Sequence, residues 1–250
     1  MQKYVEIEVK GKTLRGFIHE PENGWNKLVA MFHGFTGHKN ENAYMFRTLS
    51  RELEKRGVAS VRFDFSGSGD SDGEFSEMTY FTELEEAVDI MKWAKTLKED
   101  IELIGLGFSL GGAVLAQASL RVKELLKQII LISPAGSIKN SFRNLCEKKP
   151  KVGEDFVDMG GYLMSTAVLS TIQDFDLYQN LENFDKPVFI IHGEADQAVP
   201  VEYGKRYSEI YPKADMVIIP EAPHGYSTIE MREELYEHII RNILREEGDQ

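Results

Sequence analysis

The sequence predicts an α/β fold with a mostly parallel sheet that is covered by helices on both faces. From residue 27 onward, continuous apolar runs alternate with amphipathic stretches, which is the pattern of strands joined by crossover helices. The apolar runs are nearly unbroken, as expected of parallel strands that are buried on both faces. The 250 residues are enough for one domain with a large core, so we expect a single domain over residues 1–250.

The individual elements follow from apolar runs, helical periodicity and glycine or proline stops. Two alternating segments, 3–9 and 13–19, predict an antiparallel hairpin at a sheet edge. Further strands are predicted at 27–33, 58–64, from Ile101 to the turn at Gly107, at 128–133, 187–192 and 215–220. Helices are predicted at 41–56 and 78–97, directly after Ser109, near 201–211 and roughly over 227–246. In the helix at 78–97 we expect Glu83, Glu85 and Glu86 to face solvent.

The segment 135–185 interrupts the alternation of strands and helices. It places about 50 residues between two strands, where one helix and two short loops need fewer. Its aromatic residues include Phe142, Tyr162 and Tyr178. We interpret it as an inserted lid that supplies apolar walls for a substrate. The alternative is an ordinary crossover helix with long loops.

A serine motif lies between the strand from Ile101 and the helix that follows it. Residues 107–111 read Gly-Phe-Ser-Leu-Gly, which fits G-x-S-x-G. A serine nucleophile needs a sharp bend that exposes its hydroxyl to a base, and the crowded bend requires glycine two residues before and two after it. The strand–turn–helix context is the one that this motif requires. We therefore predict Ser109 as a catalytic nucleophile.

An acid and a histidine follow later strands in the order that such a nucleophile requires. Asp196 comes directly after the strand at 187–192, and His224 lies in the loop after the last strand. The order Ser, Asp, His predicts that His224 accepts the proton of Ser109 and that Asp196 orients the imidazole. Glu194 is the alternative acid, whereas His192 closes a strand and is interpreted as structural.

An oxyanion hole needs two backbone donors. The residue after the nucleophile, Leu110, supplies one N–H. The loop after the first buried strand, His33-Gly-Phe-Thr-Gly-His38, supplies the other, and we assign it to Phe35. His38 is placed to touch a substrate.

Composition excludes several classes of function. The formal net charge of −12 argues against nucleic acid or an anionic membrane surface as a partner. The glycine-containing loop 64–73 holds three aspartates and no lysine, so it is interpreted as structural and not as a phosphate site. Neither a metal nor a cofactor is implied by the residue spacings. The sequence has one cysteine, Cys146, and no apolar run typical of a signal peptide or a membrane span, so we expect a soluble cytoplasmic protein. A homodimer is left open.

Five motifs together resemble the α/β-hydrolase superfamily, and the resemblance covers nearly the whole chain. They are His33-Gly-Phe35, Asp64-Phe-Ser-Gly-Ser-Gly69, Gly107-Phe-Ser-Leu-Gly111, His192-Gly-Glu-Ala-Asp196 and His224-Gly225. More narrowly, the chain resembles small bacterial cinnamoyl (feruloyl) esterases. That resemblance implies hydrolysis of carboxylic esters through an acyl-enzyme, with hydroxycinnamoyl, aryl or short-chain esters as substrates. It gives no secure match within the lid, where Phe142, Tyr162 and Tyr178 are candidates for substrate contacts.

Other functions remain open on the same residues. A monoacylglycerol lipase or thioesterase would use the same site with a deeper acyl pocket. A peptidase or a cofactor-free haloperoxidase also occurs on this fold, because a fold does not fix its chemistry. A non-catalytic binding module would not need serine, histidine and aspartate together.

Overall fold

The computed structural model describes residues 1–245. These residues contain eleven strands: β1 (Gln2–Val9), β2 (Lys12–His19), β3 (Lys27–Phe32), β4 (Ala59–Phe63), β5 (Glu102–Phe108), β6 (Leu126–Ile132), β7 (Lys151–Val152), β8 (Phe156–Asp158), β9 (Leu163–Ser165), β10 (Val188–Gly193) and β11 (Ala214–Ile219). The same residues form seven α-helices: α1 (Met45–Glu54), α2 (Tyr80–Thr96), α3 (Leu110–Arg121), α4 (Ile138–Lys148), α5 (Val168–Thr171), α6 (Val201–Ile210) and α7 (Ile229–Leu244). The predicted end of the last helix, residue 246, lies outside the described residues.

Eight strands form one sheet in the order β1-β2-β4-β3-β5-β6-β10-β11. The pairs β1–β2 and β2–β4 are antiparallel, and the remaining neighbours are parallel. The prediction of a mostly parallel sheet with an antiparallel hairpin at one edge is therefore confirmed. Because the strands of this sheet from β3 onward run in the same direction, their carboxyl ends meet at one edge, where ligands bind in such folds.

Apolar side chains cover the sheet on both faces. Successive residues of a strand point to opposite faces, so Ala30 and Phe32 join one core cluster while Val29 and Met31 join the other. The first cluster includes side chains of α2 and α3, and the second includes side chains of α1 and α7. The central strands are fixed between these two layers, and so are the loops at their ends.

One prediction for α2 is wrong. Glu83 and Glu86 are buried, with 3% and 6% of their surface exposed, and only Glu85 is half-exposed. The helix packs against α3 as well as against the sheet, since the Tyr80 hydroxyl donates to the Ala113 carbonyl oxygen. Glu86 accepts a hydrogen bond from the Ser66 N–H at 2.9 Å. Two further elements therefore cover a surface that simple periodicity assigns to solvent.

The segment between β6 and β10 contains more than one crossover helix. It holds α4, the three-stranded antiparallel sheet β7-β8-β9, and the short helix α5. Val157 and Met164 of this small sheet are almost fully buried and belong to the core cluster that contains α2 and α3. Its role as a lid stays a prediction.

Candidate active site

The predicted nucleophile, acid and base follow three strands of the main sheet. Ser109 follows β5, Asp196 lies in the loop after β10, and His224 lies in the loop between β11 and α7. The loop after β3, residues 33–41, reaches the same place, because Gly34 lies against Ser109. The topology thus brings together side chains that are 115 residues apart in the chain.

Ser109 occupies a sharp and strained turn between β5 and α3. Its φ of 54° and ψ of −118° are unusual for a residue other than glycine. A Cβ at Gly107 would lie 2.4 Å from the Gly111 carbonyl oxygen, and a Cβ at Gly111 would lie 2.2 Å from the Phe32 carbonyl oxygen. Both glycines are therefore required by close backbone approach, as the motif predicts.

The three side chains form a continuous hydrogen-bonded chain. His224 Nε2 lies 2.9 Å from Ser109 Oγ, and His224 Nδ1 lies 2.6 Å from Asp196 Oδ2. A carboxylate only accepts, so Nδ1 carries the proton toward Asp196 and Nε2 is left to accept the serine proton. This geometry can activate a serine hydroxyl as a nucleophile.

Asp196 is held as a carboxylate by its surroundings. Burial raises its pKa, but hydrogen bonds from His192, His224 and the Val199 N–H outweigh burial and hold the pKa well below its usual range. Its Oδ1 accepts from the Ala198 and Val199 N–H groups at 3.0 and 2.8 Å. The ionised acid is therefore available to stabilise a charged imidazole.

His192 supports the acid loop from behind. It is fully buried, its Nε2 lies 2.8 Å from the Val199 carbonyl oxygen, and the same nitrogen lies 3.4 Å from Asp196 Oδ2. Because the nearer partner is a carbonyl, Nε2 is the donor. His192 thus has the structural position that the sequence predicts. The alternative acid, Glu194, instead accepts from the Glu221 N–H and is exposed.

Two backbone N–H groups are free to stabilise an oxyanion. Within residues 1–245, the N–H groups of Phe35 and Leu110 have no hydrogen-bond acceptor. Leu110 is the first residue of α3, so the positive end of the helix dipole adds to its effect. A Cβ at Gly34 would lie 3.2 Å from Ser109 Cβ, so the loop that carries Phe35 adjoins the nucleophile.

His33 anchors the start of that loop. The Phe65 N–H donates to His33 Nε2 at 3.1 Å, so Nδ1 carries the proton and donates to the Gly34 carbonyl oxygen at 2.9 Å. Burial lowers the pKa of His33 and keeps the ring neutral. The loop is therefore fixed at its first residue by a single tautomer.

A cavity of about 420 Å³ opens beside Ser109. Among the described residues, those that line it are Gly34, Phe35, Thr36, Gly37, His38, Glu41, Asn42, Phe108, Ser109, His224 and Gly225. The structure places His38 at this cavity, as predicted from its loop. The lining also includes Glu41, which the sequence analysis used only as the start of a helix.

Two of the predicted lid residues join an aromatic cluster at the edge of the site. The Phe35 ring contacts Phe75 and Phe142 at centroid distances of 5.5 and 5.3 Å, and the Phe75 ring contacts Tyr162 at 5.2 Å. Phe142 is 2% exposed and Tyr162 is 44% exposed. This cluster connects the oxyanion loop to the small sheet. Phe75 was not predicted, because it lies in a short 3₁₀ helix with no periodic pattern.

The structure does not bring Tyr178 to the cavity. Its hydroxyl donates to the Gly136 carbonyl oxygen at 3.0 Å, and its ring packs between Tyr207 and the Arg206 guanidinium. Burial raises the pKa of this phenol to about 12. The assignment of Tyr178 to substrate binding is therefore wrong, because its polar atom already has a partner inside the core.

The acidic loop after β4 is structural, as expected. Asp64 is fully buried and accepts from the Lys39 N–H and from Lys39 Nζ at 2.6 and 2.5 Å. Lys39 Nζ also donates to Asp70 at 2.5 Å. These bonds fasten the loop to the segment that carries the oxyanion donor. In the described part of the chain, no group of three His, Cys, Asp or Glu side chains is arranged to hold a metal ion.

Comparison with known proteins places this site in a family. Residues 25–157 match the Hydrolase_4 family, described as serine aminopeptidase, S33. The chain belongs to this α/β-hydrolase family. The matched range contains the oxyanion loop and the Ser109 turn. The fold and the family agree, and both identify the protein as an α/β hydrolase.

Similar proteins of known structure include one that was solved with an aromatic acid. The structure of Est1E from Butyrivibrio proteoclasticus with bound ferulic acid is 27% identical, with a TM-score of 0.85 over 96% of this chain and 98% of that one.

Curated relatives include human protein ABHD12B, which is 27% identical over 81% of this chain and 54% of its own length. The lysophosphatidylserine lipase ABHD12 of Macaca fascicularis is 26% identical over 73% of this chain and 45% of its own length. The chain thus spans about half of these two relatives. Over residues 1–245, no helix combines the length and the apolar character that crossing a bilayer would require.

Proposed function

We propose that the protein is a serine carboxylesterase that acts on hydroxycinnamoyl or other aryl and short-chain esters. The observation that carries this proposal is the chain of hydrogen bonds from Ser109 through His224 to Asp196, beside a cavity with aromatic neighbours. The likeness to Est1E, whose structure holds ferulic acid, supports the choice of acyl group.

The proposed reaction begins with attack of Ser109 Oγ on the ester carbonyl carbon. His224 Nε2 accepts the serine proton. The carbonyl oxygen becomes negative and accepts hydrogen bonds from the N–H groups of Phe35 and Leu110. Collapse of this intermediate breaks the bond to the alcohol oxygen, which takes the proton back from His224. An acyl-enzyme remains on Ser109.

Hydrolysis of the acyl-enzyme repeats these steps with water. His224 Nε2 removes one proton from water as its oxygen attacks the acyl carbon, and then returns it to Ser109 Oγ. The carboxylic acid leaves and the free serine is restored. Asp196 stays ionised throughout and stabilises the imidazolium that forms twice in each cycle.

The aromatic cluster is the proposed wall for a planar acyl group. Phe35 lines the cavity and Tyr162 is 44% exposed, so an aryl ring can pack against these two rings, and such pairs contribute about 0.5–1.5 kcal/mol each. The buried rings of Phe75 and Phe142 pack behind them and hold them in place. In this proposal the segment 135–185 serves as a lid, because it supplies Phe142 and Tyr162. Hydrolysis of the ester gives an alcohol and an aromatic acid, and both products are released into solvent.

A peptidase activity is less well supported by the cavity. An aminopeptidase needs an anionic group for the substrate's amino terminus. Glu41 is the single carboxylate among the described residues that line the cavity, and its two oxygens accept from the Gly34 and Asn42 N–H groups. This side chain is therefore engaged in holding the loop.

A lipase for longer acyl chains is the second candidate, on the likeness to a lysophosphatidylserine lipase. Rates on p-nitrophenyl esters of increasing chain length separate the two. A steep preference for acyl chains of eight or more carbons would favour the lipase.

The decisive experiment compares hydrolysis of methyl ferulate and p-nitrophenyl butyrate by wild type and Ser109→Ala. We expect wild type to cleave both esters and the variant to lose at least about 10³-fold in kcat, since the nucleophile is gone. Ser208→Ala is the matched control, because the exposed Ser208 hydroxyl donates to the Lys205 carbonyl oxygen within α6. Cleavage of the butyrate alone would remove the aromatic assignment, and full activity of Ser109→Ala would remove the mechanism.

A further inference from the structure

Arg232, near the start of α7, joins two loops of the site through its guanidinium. Nε donates to the Tyr226 carbonyl oxygen at 2.9 Å and Nη2 donates to the Gly225 carbonyl oxygen at 3.3 Å. Nη1 donates to the Ala43 carbonyl oxygen at 2.8 Å, across 189 residues of sequence. One side chain therefore fixes the loop after His224 to the turn that follows the oxyanion loop.

Both of these loops have strained backbone. Glu41, Ala43 and Tyr44 have φ values of 57°, 44° and 60°, and Tyr226 has a φ of 49°. Residues other than glycine hold such angles at a cost of about 1–3 kcal/mol each, and they persist only where surrounding contacts impose them. The guanidinium of Arg232 supplies such contacts on both sides.

The two loops carry the groups that the chemistry needs. Gly225 directly follows His224, so the position of its carbonyl affects the position of the imidazole. On the other side, Glu41 accepts the Gly34 N–H at 2.5 Å and so holds the residue before Phe35. The loops also meet directly, because a Cβ at Gly225 would lie 3.3 Å from Asn42 Nδ2.

We propose that Arg232 is a positioning residue that sets His224 and the Phe35 donor relative to each other. It is not among the described residues that line the cavity beside Ser109, and it acts through the three carbonyl groups. The inference rests on the proposed roles of Ser109 and His224 but not on the identity of the ester. Arginine suits this task, since its planar guanidinium donates in several fixed directions, whereas lysine is a single mobile point donor.

The test compares Arg232→Ala and Arg232→Lys with wild type on p-nitrophenyl acetate. We expect Arg232→Ala to lower kcat by about 10–100-fold, with KM changed less than about threefold, because small misplacement of reacting groups costs up to about 10²-fold. The kcat of Arg232→Lys should lie between that of wild type and that of Arg232→Ala. Arg56→Ala is the control, because Arg56 lines the same surface groove between α1 and α7, and within residues 1–245 its guanidinium donates to Glu52 on its own side of the groove and not to the site loops.

Chemical rescue separates positioning from a merely structural role. Arg232 lines a surface groove of about 430 Å³ that a guanidinium ion can enter. Guanidinium ion at millimolar concentration should restore part of the kcat of Arg232→Ala and leave wild type and Arg56→Ala unchanged. A kcat of wild-type size in Arg232→Ala would overturn the proposal. So would a loss that follows the fraction of unfolded protein and shows no rescue.

A fluorophosphonate probe keeps this test distinct from the test of function. If wild type reacts at Ser109 and Arg232→Ala reacts equally fast, the proposal for Arg232 fails while the nucleophile stands. If wild type does not react at all, the proposed nucleophile fails, whatever the variants do. Should Arg232→Ala fail to fold, Arg232→Lys decides, since a wild-type kcat and labelling rate there would overturn the proposal.

Discussion

Glu41 brings a buried negative charge to the cavity in which an oxyanion would form. Its carboxylate accepts the Gly34 N–H at 2.5 Å and the Asn42 N–H at 3.0 Å. Two effects compete, since the charge repels a nearby oxyanion while the bonds hold the oxyanion loop. We expect the bonds to dominate, so Glu41→Gln should lower kcat on p-nitrophenyl acetate by about tenfold, which is less than the 10²–10³-fold cost of deleting an oxyanion donor.

Steady-state kinetics with a charge-matched control checks this prediction. Glu22→Gln removes a carboxylate from an exposed turn and should leave kcat unchanged. A faster Glu41→Gln enzyme would show that Coulomb repulsion outweighs the positioning of the loop. An unchanged kcat would show that Gly34 keeps its place without the carboxylate.

At the residue scale, glycine spacing predicted Ser109, because few sequences can form a strained serine turn. The order of the residues along the chain then predicted Asp196 and His224. Glu41 and Arg232 were missed for a physical reason. Their partners are backbone atoms, at Gly34, Ala43 and Gly225, and backbone partners leave no residue pattern. Only the fold shows that the turn at 41–44 meets the start of α7.

At the scale of single elements, α2 carries a buried carboxyl that makes stability depend on pH. Glu83 is 3% exposed, and Oε2 has no hydrogen-bond partner within residues 1–245. Burial, with the nearby Glu86 second, raises its pKa well above the usual value. The folded protein therefore binds this proton more tightly than the unfolded chain does, so stability is full below the unfolded pKa and is lost as the pH rises toward the folded pKa.

We expect Glu83→Gln to remove this loss. Its free energy of unfolding, measured by urea titration, should fall less between pH 5 and pH 8 than that of wild type, by about 1–3 kcal/mol, which is typical of one unsatisfied buried polar group. Glu85→Gln is the control, because it should change the pH dependence of the free energy of unfolding in the opposite direction. Arg121 lowers the pKa of Glu85, so its small contribution is present above the unfolded pKa. Equal pH slopes for wild type and Glu83→Gln would contradict the prediction.

Elements with long apolar runs were predicted well, and short ones were not. The strands of the main sheet follow from buried runs of β-branched residues such as those of β6 and β10. The small sheet β7-β8-β9 was missed because strands of two or three residues are too short to show alternation. The error at Glu83 has another origin, since periodicity identifies one buried face and cannot count how many elements pack on a helix.

At the scale of the whole molecule, the sequence predicted the topology because order along the chain constrains a parallel sheet. Alternating strands and helices leave few arrangements, and the antiparallel hairpin has a place only at an edge. The net charge of −12 is likewise a property of the whole molecule. Its effect on the reaction depends on ionic strength, because the Debye length falls from about 30 Å at 0.01 M salt to about 3 Å at 1 M salt.

This long-range field should make the enzyme discriminate against anionic esters. We expect kcat/KM for p-nitrophenyl hydrogen succinate to be about two- to tenfold below that for p-nitrophenyl butyrate at 0.01 M salt, because the field lowers the local substrate concentration. The gap should narrow at 1 M salt, while the neutral ester changes little. Both esters carry four-carbon acyl groups, so size is controlled.

The same pair of esters shows whether the lower kcat/KM for the anionic ester comes from the net charge of the molecule or from one residue at the cavity. Among the described residues that line the cavity, Glu41 is the one with a carboxylate. A buried charge is screened less by salt than an exposed one. If the whole surface is responsible, Glu41→Gln should keep most of the salt-dependent gap. If the gap disappears in that variant, or persists unchanged at 1 M salt, the discrimination arises in the cavity, and the net charge of the protein has no part in it.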